Sequence, residues 1–327
     1  MKDQLALVAD IGGTNARFAL VDREGARPRD LRVLRCRDFA SLEEAAAAYL
    51  AELGARPRRA AVAVATALTG DRVKMTNHHW TISMAEVRAR LGLDELLMIN
   101  DFTALALAVP RLAPEELEQI GGGAAVEGSP IALIGPGTGL GVSALIPTGD
   151  RNIPLQSEGG HVTYGAANPR EADILGRLSR RFNHISAERL LSGPGLVNLY
   201  QALAELEGRT PEPLQPADIS QRAMEGECAL CSEALRTFCA MLGTAAGNLV
   251  LTLGARGGVY IGGGIVPRLG AYFARSPFRA SFEHRGRFTD YLAAVPSYVI
   301  RADHPALLGA AEAFTHPPRE IGLIARG

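Results

Sequence analysis

Short apolar runs punctuated by glycine mark this chain from its first residues. Leu5 to Ile11 is apolar except for Asp10, stops at Gly12-Gly13, and gives way to a second apolar run, Ala16 to Val21. Two such runs joined by a short Gly/Thr/Asn turn predict a β-hairpin. Further strands are expected at Leu31–Arg35, Ala60–Ala65 and Leu96–Ile99. Helical periodicity falls at Leu42–Leu53 and Met84–Leu91, the second opened by Ser83 and Glu86 at capping-box spacing. Leu112 to Ser129 has no clear period, contains Gly121-Gly122-Gly123, and reads as a surface connection between lobes. Beyond it the opening theme returns: Ile131–Ile134, the turn Gly135-Pro136-Gly137-Thr138-Gly139, then Gly141–Ile146. Strand, Gly/Thr turn, strand thus occurs twice, which points to two related halves.

Helices near Arg170–Phe182, Pro194–Glu207 and Cys228–Leu253 follow. Strand Gly258–Ile261 runs into Gly262-Gly263-Gly264, strand Tyr298–Arg301 comes next, and a last helix, Pro305–Thr315, has proline in its first turn. Alternation of strands and helices makes the class α/β. The 327-residue length suggests two domains, and 47% hydrophobic with 21% charged residues is ordinary for a globular protein. No run of 18 apolar residues predicts a membrane span. Met1-Lys2-Asp3-Gln4 leads into the first strand without a signal-peptide core, so a cytoplasmic location is expected.

A net charge of −1 offers no basic field for nucleic acid or an anionic membrane. The only lysines are Lys2 and Lys74, and neither lies in a glycine-rich loop. A P-loop is therefore excluded, since it needs a lysine reaching the β/γ-phosphates. Of the four cysteines, Cys228-x-x-Cys231 has half a zinc-site spacing but no second half. With Cys239 in the same helical pattern, these read as buried thiols of a core helix.

Asp10-Ile11-Gly12-Gly13-Thr14-Asn15 places a carboxylate, two glycines and a hydroxyl at a hairpin tip. Glycine lets backbone N–H groups approach phosphate oxygens, Thr14 can add a hydrogen bond, and Asp10 could hold Mg²⁺ directly or through water. A plain hairpin turn uses the same residues. A dinucleotide fingerprint fits poorly, because it must open a helix and both Gly turns here lead into strands. Gly12-Gly13, Gly137-Thr138-Gly139 and Gly262-Gly263-Gly264 together form a lysine-free nucleotide cradle.

Asn100-Asp101 ends a strand and opens a helix, where either residue could be a simple N-cap. A carboxylate there also suits a kinase for alcohols, which needs an acceptor for the hydroxyl proton. Glu158 and His161 of Glu158-Gly159-Gly160-His161, with Glu188, add acceptors for vicinal hydroxyls. Taken singly, His161 could be an ordinary hydrogen-bonded histidine, Glu188 a solvated helix residue, and His78-His79 loop residues.

These motifs resemble the bacterial glucokinases, a hexokinase-like group with the actin fold. The resemblance rests on Asp10-Ile11-Gly12-Gly13-Thr14-Asn15-Ala16-Arg17, Met75-Thr76-Asn77-His78-x-Trp80 and Ile99-Asn100-Asp101-Phe102-Thr103. It continues through Gly137-Thr138-Gly139-Leu140-Gly141, Glu158-Gly159-Gly160-His161, Glu188-Arg189-Leu190-Leu191-Ser192-Gly193-Pro194-Gly195 and Gly262-Gly263-Gly264-Ile265-Val266-Pro267-Arg268. It implies an actin-like, ribonuclease H-like α/β fold with the active cleft between two lobes, 1–111 plus 302–327 and 112–301. It implies glucose and ATP as substrates, Mg²⁺, and a homodimer. Asp101 would be the general base toward the sugar 6-hydroxyl, and Asn100, Asp101, Glu158, His161 and Glu188 would bind the sugar. The Asp10–Thr14 and Gly137–Gly139 turns would hold phosphates, with Gly262–Gly264 near the adenosine.

Two departures qualify the resemblance. The cysteine cluster of the zinc-containing repressor/kinase branch is absent after Glu158-Gly159-Gly160-His161, which argues against that branch. Ala67 stands where the family resemblance leads one to expect proline, which loosens the expectation of strict glucose specificity. A kinase for mannose, fructose or an amino sugar is the alternative within enzymes. A sugar-sensing regulator would carry a helix-turn-helix before the first strand, and only about four residues precede Leu5. An actin-like ATPase would have no use for Glu158, His161 and Glu188.

Overall fold

A computed structural model of the chain describes residues 5–23, 26–66, 68, 70–75, 79–149, 151–316 and 321–326. Its strands in chain order are β1 (Ala6–Ile11), β2 (Asn15–Val21), β3 (Arg29–Arg35), β4 (Arg59–Val64), β5 (Arg72–Lys74), β6 (Thr81–Ser83) and β7 (Glu95–Asn100). They continue as β8 (Leu117–Ile120), β9 (Ile131–Pro136), β10 (Leu140–Pro147), β11 (Asn152–Leu155), β12 (Val259–Ile261), β13 (Ser297–Ile300) and β14 (Gly322–Arg326). Contacts group Met1–Pro114, Ala144–Gln156 and Ala302–Gly327 in one compact unit, and Glu115–Ser143 with Ser157–Arg301 in another. The sequence reading kept 112–301 together. Ala144–Gln156 groups with the first unit, where β11 lies against the helix Asp101–Ala108 and its Asn152 carbonyl accepts a 2.8 Å hydrogen bond from His316 Nε2.

One six-stranded sheet runs β14-β7-β4-β1-β2-β3 and another runs β11-β10-β9-β12-β13-β8. In the first, β1, β4 and β7 are parallel, and β2, β3 and β14 enter antiparallel. In the second, β9, β12 and β13 are parallel, and β8 closes the edge antiparallel to β13. Both sheets thus share one plan. A two-strand opening leads outward to a third strand on one side, crossover strands lie on the other, and an antiparallel strand forms the far edge. The repeated Gly/Thr turn of the sequence reappears as a repeated topology.

The expected hairpin, the strand at 59–64 and the helices Leu42–Leu53 and Met84–Leu91 are present, with Ser41 and Ser83 hydroxyls capping the two helices. Five strands were not expected: β5, β6, β8, β11 and β14. β8 lies inside the expected connection Leu112–Ser129, and β5 and β6 pair with each other in a separate two-stranded sheet. All are three to five residues long and paired on one side only, too short to carry a clear strand period.

The helix Asp101–Ala108 is fixed by a crossing with the helix Pro305–Glu312. A Cβ on Gly309 would run into the Ala104 carbonyl, so only glycine lets the two backbones come this close. In the second unit the core helix is Ala229–Leu253, 25 residues long, burying Leu235, Phe238, Met241 and Leu242. Its Gly243 and Gly247 receive the backbone of the helix Phe278–Glu283 in the same way. Among the described helices it alone is long and apolar enough to cross a membrane, and 61% of its most apolar stretch is buried within the fold.

Cys231 and Cys239 lie buried on this helix, while Cys228 is its half-buried N-cap, its sulfur accepting the Cys231 N–H at 3.2 Å. Burial pushes the Cys231 and Cys239 thiols up to about 12, and the neighbouring Cys228 adds to the shift at Cys231. Among the described residues no group of three or more His, Cys, Asp or Glu side chains is placed to hold a metal ion.

Gly309→Ala is expected to lower stability by about 1–3 kcal/mol, the range for an overpacked core, read as a lower urea midpoint at unchanged slope. An unchanged midpoint would show that the crossing can relax. In the folded protein a thiol reagent should modify Cys228 alone, with Cys36, Cys231 and Cys239 reacting only after denaturation. Rapid loss of two or more thiols from the native state contradicts this packing.

Candidate active site

Parallel strands end level with one another when their ladder is in register. In the first unit Ile11 of β1 lies opposite Val64 of β4, and Val64 opposite Asn100 of β7. The Gly12–Thr14 turn and the Asn100-Asp101 junction therefore leave the same edge of one sheet, where open α/β sheets take their ligands. The turn is tight: Gly12 N–H donates to Asn15 O at 3.0 Å, and Cys36 N–H donates to Thr14 O at 2.9 Å. Thr14 is exposed at the tip, while the Ile11 side chain is buried, so Ile11 can offer a ligand only its backbone.

Asp10 faces Arg17 directly across the β1–β2 ladder, and Arg17 Nη1 donates to Asp10 Oδ2 at 2.9 Å. Burial raises the Asp10 carboxyl above the ordinary carboxylate range, against the opposing pull of Arg17 and His304. His304 itself has a left-handed backbone, φ 52°, just before Pro305, a strained conformation for a residue with a side chain.

Asn100 performs the N-cap role open to it in the sequence. Its Oδ1 accepts from Phe102 N–H at 2.8 Å and Thr103 N–H at 3.2 Å, while Nδ2 donates to Thr66 O at 3.4 Å. Asp101 is the first residue of the capped helix and is half-buried, with Oδ1 3.0 Å from the Phe102 nitrogen.

The second unit repeats the arrangement. Ile134, Ile261 and Val299 are level across β9, β12 and β13. Gly137–Gly139 follows β9, and Gly262–Gly264 follows β12. The two glycine segments are joined by Gly262 N–H to Ile134 O at 3.0 Å and Ile265 N–H to Pro136 O at 3.2 Å. Gly263 has φ 77° and no room for a Cβ against the Pro136 carbonyl. Thr138, like Thr14, is exposed at its tip.

Glu158 and His161 belong to a short 3₁₀ turn and are both exposed, His161 Nε2 lying 3.8 Å from Glu158 Oε2. Glu188 sits on a second 3₁₀ turn, Ala187–Arg189, capped by Ser186. Backbone hydrogen bonds put the two segments side by side: Ala187 N–H to Val162 O at 2.9 Å and Tyr164 N–H to Ile185 O at 3.0 Å. Glu188 is a half-buried turn residue, and its Oε2 accepts the Leu140 N–H at 2.9 Å.

Sequence reasoning missed Arg17 as the counter-ion of Asp10, although its place opposite Asp10 follows from the hairpin register. It also missed Leu140, whose role is carried by its backbone and leaves no side-chain signal. Met75 and Trp80 prove to be core residues of the first unit, Trp80 Nε1 donating to Phe39 O at 3.2 Å. Ala67, Thr76, Asn77 and His78 lie outside the described residues, and His79 is an exposed neighbour of Trp80.

Residues 7–317 match the glucokinase family profile. A glucokinase from Aromatoleum aromaticum is 57% identical over 309 residues, covering 94% of this chain and 93% of the relative. The crystal structure of a glucokinase from an Antarctic psychrotroph superposes with a TM-score of 0.86 at 39% identity, covering 95% of this chain and 99% of that one. A glucokinase of the ROK family from Streptomyces griseus, solved with glucose and AMPPNP, shares the fold at 20% identity and a TM-score of 0.63, over 94% and 97% of the two chains. With an actin-like sugar-kinase fold, glycine turns at the carboxyl edges of both sheets, and near-full-length matches at this level, the chain belongs to the glucokinase family.

Proposed function

We propose that the chain transfers the γ-phosphoryl group of ATP to the 6-hydroxyl of glucose, with Asp101 as the general base. The observation that carries this reading is the common edge of the first sheet, where a lysine-free glycine turn and the Asp101 carboxylate emerge together. The Asn100 cap fixes the backbone that carries Asp101, so the carboxylate starts from a set position. Asp101 accepts the hydroxyl proton as the oxygen attacks phosphorus. Asn100 Nδ2, Glu158, His161 and Glu188 bind the remaining hydroxyls, and backbone N–H groups of Gly13, Thr14, Thr138 and Gly139 steady the phosphates, with the Gly12 and Gly137 N–H groups closing the two turns. Gly262–Gly264 takes the adenosine end of the nucleotide.

Asp10 is the residue that would hold Mg²⁺. A single carboxylate suits an ion that relies mainly on waters and substrate phosphates, and Oδ1 is left by the Arg17 contact at Oδ2. The ion would neutralise charge on the transferring group. Assembly as a homodimer rests on the family resemblance.

Asp101→Asn is expected to reduce turnover by about 10²–10⁴, the usual worth of a general base, with glucose affinity largely kept. Turnover within a few-fold of the parent would remove Asp101 from that role. A hexose panel on the parent chain should favour glucose, and faster turnover of mannose, fructose or an amino sugar would reassign the substrate.

A further inference from the structure

The turn Gly137–Gly139 has no charged side chain of its own to hold phosphate, so its N–H groups must be kept in place by what surrounds them. Within the turn, Gly137 N–H donates to Gly139 O at 2.8 Å. Two further bonds come from a single distant segment. Gly193 N–H donates to Gly137 O at 2.8 Å, and Glu188 Oε2 accepts Leu140 N–H at 2.9 Å. A Cβ on Gly139 would approach that same carboxylate oxygen to 2.5 Å, so the side chain lies directly against the turn. Ser192 ties the two ends of the segment together, its Oγ donating to Glu188 O at 2.8 Å and accepting Gly195 N–H at 3.0 Å. The second sugar-motif turn arrives at the opposite side of the same residue: Gly160 is packed so closely on the Leu140 carbonyl that no Cβ would fit.

We infer that Glu188 is a positioning residue for the nucleotide as well as an acceptor for the sugar: one carboxylate oxygen holds the phosphate turn through Leu140 N–H, and the other is left for a sugar hydroxyl. This rests on the kinase reading given above. A hydroxyl bound at Oε1 restrains the carboxylate, and the restrained carboxylate restrains the turn. Sugar and ATP sites are thereby coupled through one side chain, with no movement of larger elements required. A hydrogen bond to an ionised acceptor is about twice as strong as a neutral one, which makes this contact able to affect the turn.

Two variants of the full chain separate this role from a sugar contact. Glu188→Asp keeps the charge and withdraws it by one methylene, out of reach of Leu140 N–H. Glu188→Gln keeps the reach and an accepting oxygen while removing the charge. Titration with AMPPNP and Mg²⁺, without sugar, should show about a tenfold loss of affinity in Glu188→Asp and about threefold or less in Glu188→Gln. Glucose affinity, titrated separately, should fall in both. Unchanged AMPPNP affinity in Glu188→Asp, with glucose binding weakened, would confine Glu188 to the sugar and overturn the inference. A larger loss in Glu188→Gln than in Glu188→Asp would overturn it too, since charge and not the reach of the hydrogen bond would then matter. Failure of the parent chain to bind AMPPNP while it still binds glucose would remove the kinase reading, and this inference with it.

Discussion

A phosphate site without a lysine depends on backbone N–H groups, and those groups act only if the peptide planes carrying them are held still. Both glycine turns of this structure are held from outside themselves. In the first unit the Gly12–Thr14 turn is closed by its own hydrogen bond to Asn15 and braced by Cys36 N–H on the Thr14 carbonyl. In the second, the Gly137–Gly139 turn is braced from outside by Glu188 and Gly193. Each brace comes from a segment distant in sequence, so the turn is a property of the folded unit and not of the glycine motif. Preorganised dipoles of this kind need no rearrangement when charge develops on a transferring group.

Glycine serves a second purpose, which is close approach. Gly309 brings the helix that starts at Pro305 onto the helix that starts at Asp101, and so fixes the direction in which Asp101 leaves the sheet. Gly160 does the same for the turn carrying Glu158 and His161, seating it on the Leu140 carbonyl. Chemistry-bearing side chains are thus aimed by residues that have none. Shape and polar placement come from the same sequence segments.

Much of this could be read in the sequence. The hairpin, the capped helices and the repeated Gly/Thr turn are local features, and local features leave local signals. The Asn100 cap was one of two readings open for that residue, and its side chain serves the cap through Oδ1 while leaving Nδ2 on the Thr66 carbonyl. The short strands Arg72–Lys74, Thr81–Ser83, Leu117–Ile120, Asn152–Leu155 and Gly322–Arg326 were not legible, because three to five residues paired on one side only carry no clear period. Nor was the bond from Glu188 to Leu140, which joins residues 48 apart through a backbone N–H that any residue type would supply. Glu188 could be read as an acceptor, but not what it already accepts.

The central claim is that these elements direct phosphoryl transfer to one hydroxyl of one sugar. It is tested most directly by identifying the product formed from glucose, ATP and Mg²⁺ with phosphorus NMR, while following ADP release with and without sugar. The account predicts a phosphomonoester on the 6-oxygen only, one ADP for each sugar phosphate, and negligible ADP release when glucose is omitted. Phosphate on another oxygen, or ADP release that does not depend on sugar, would contradict it.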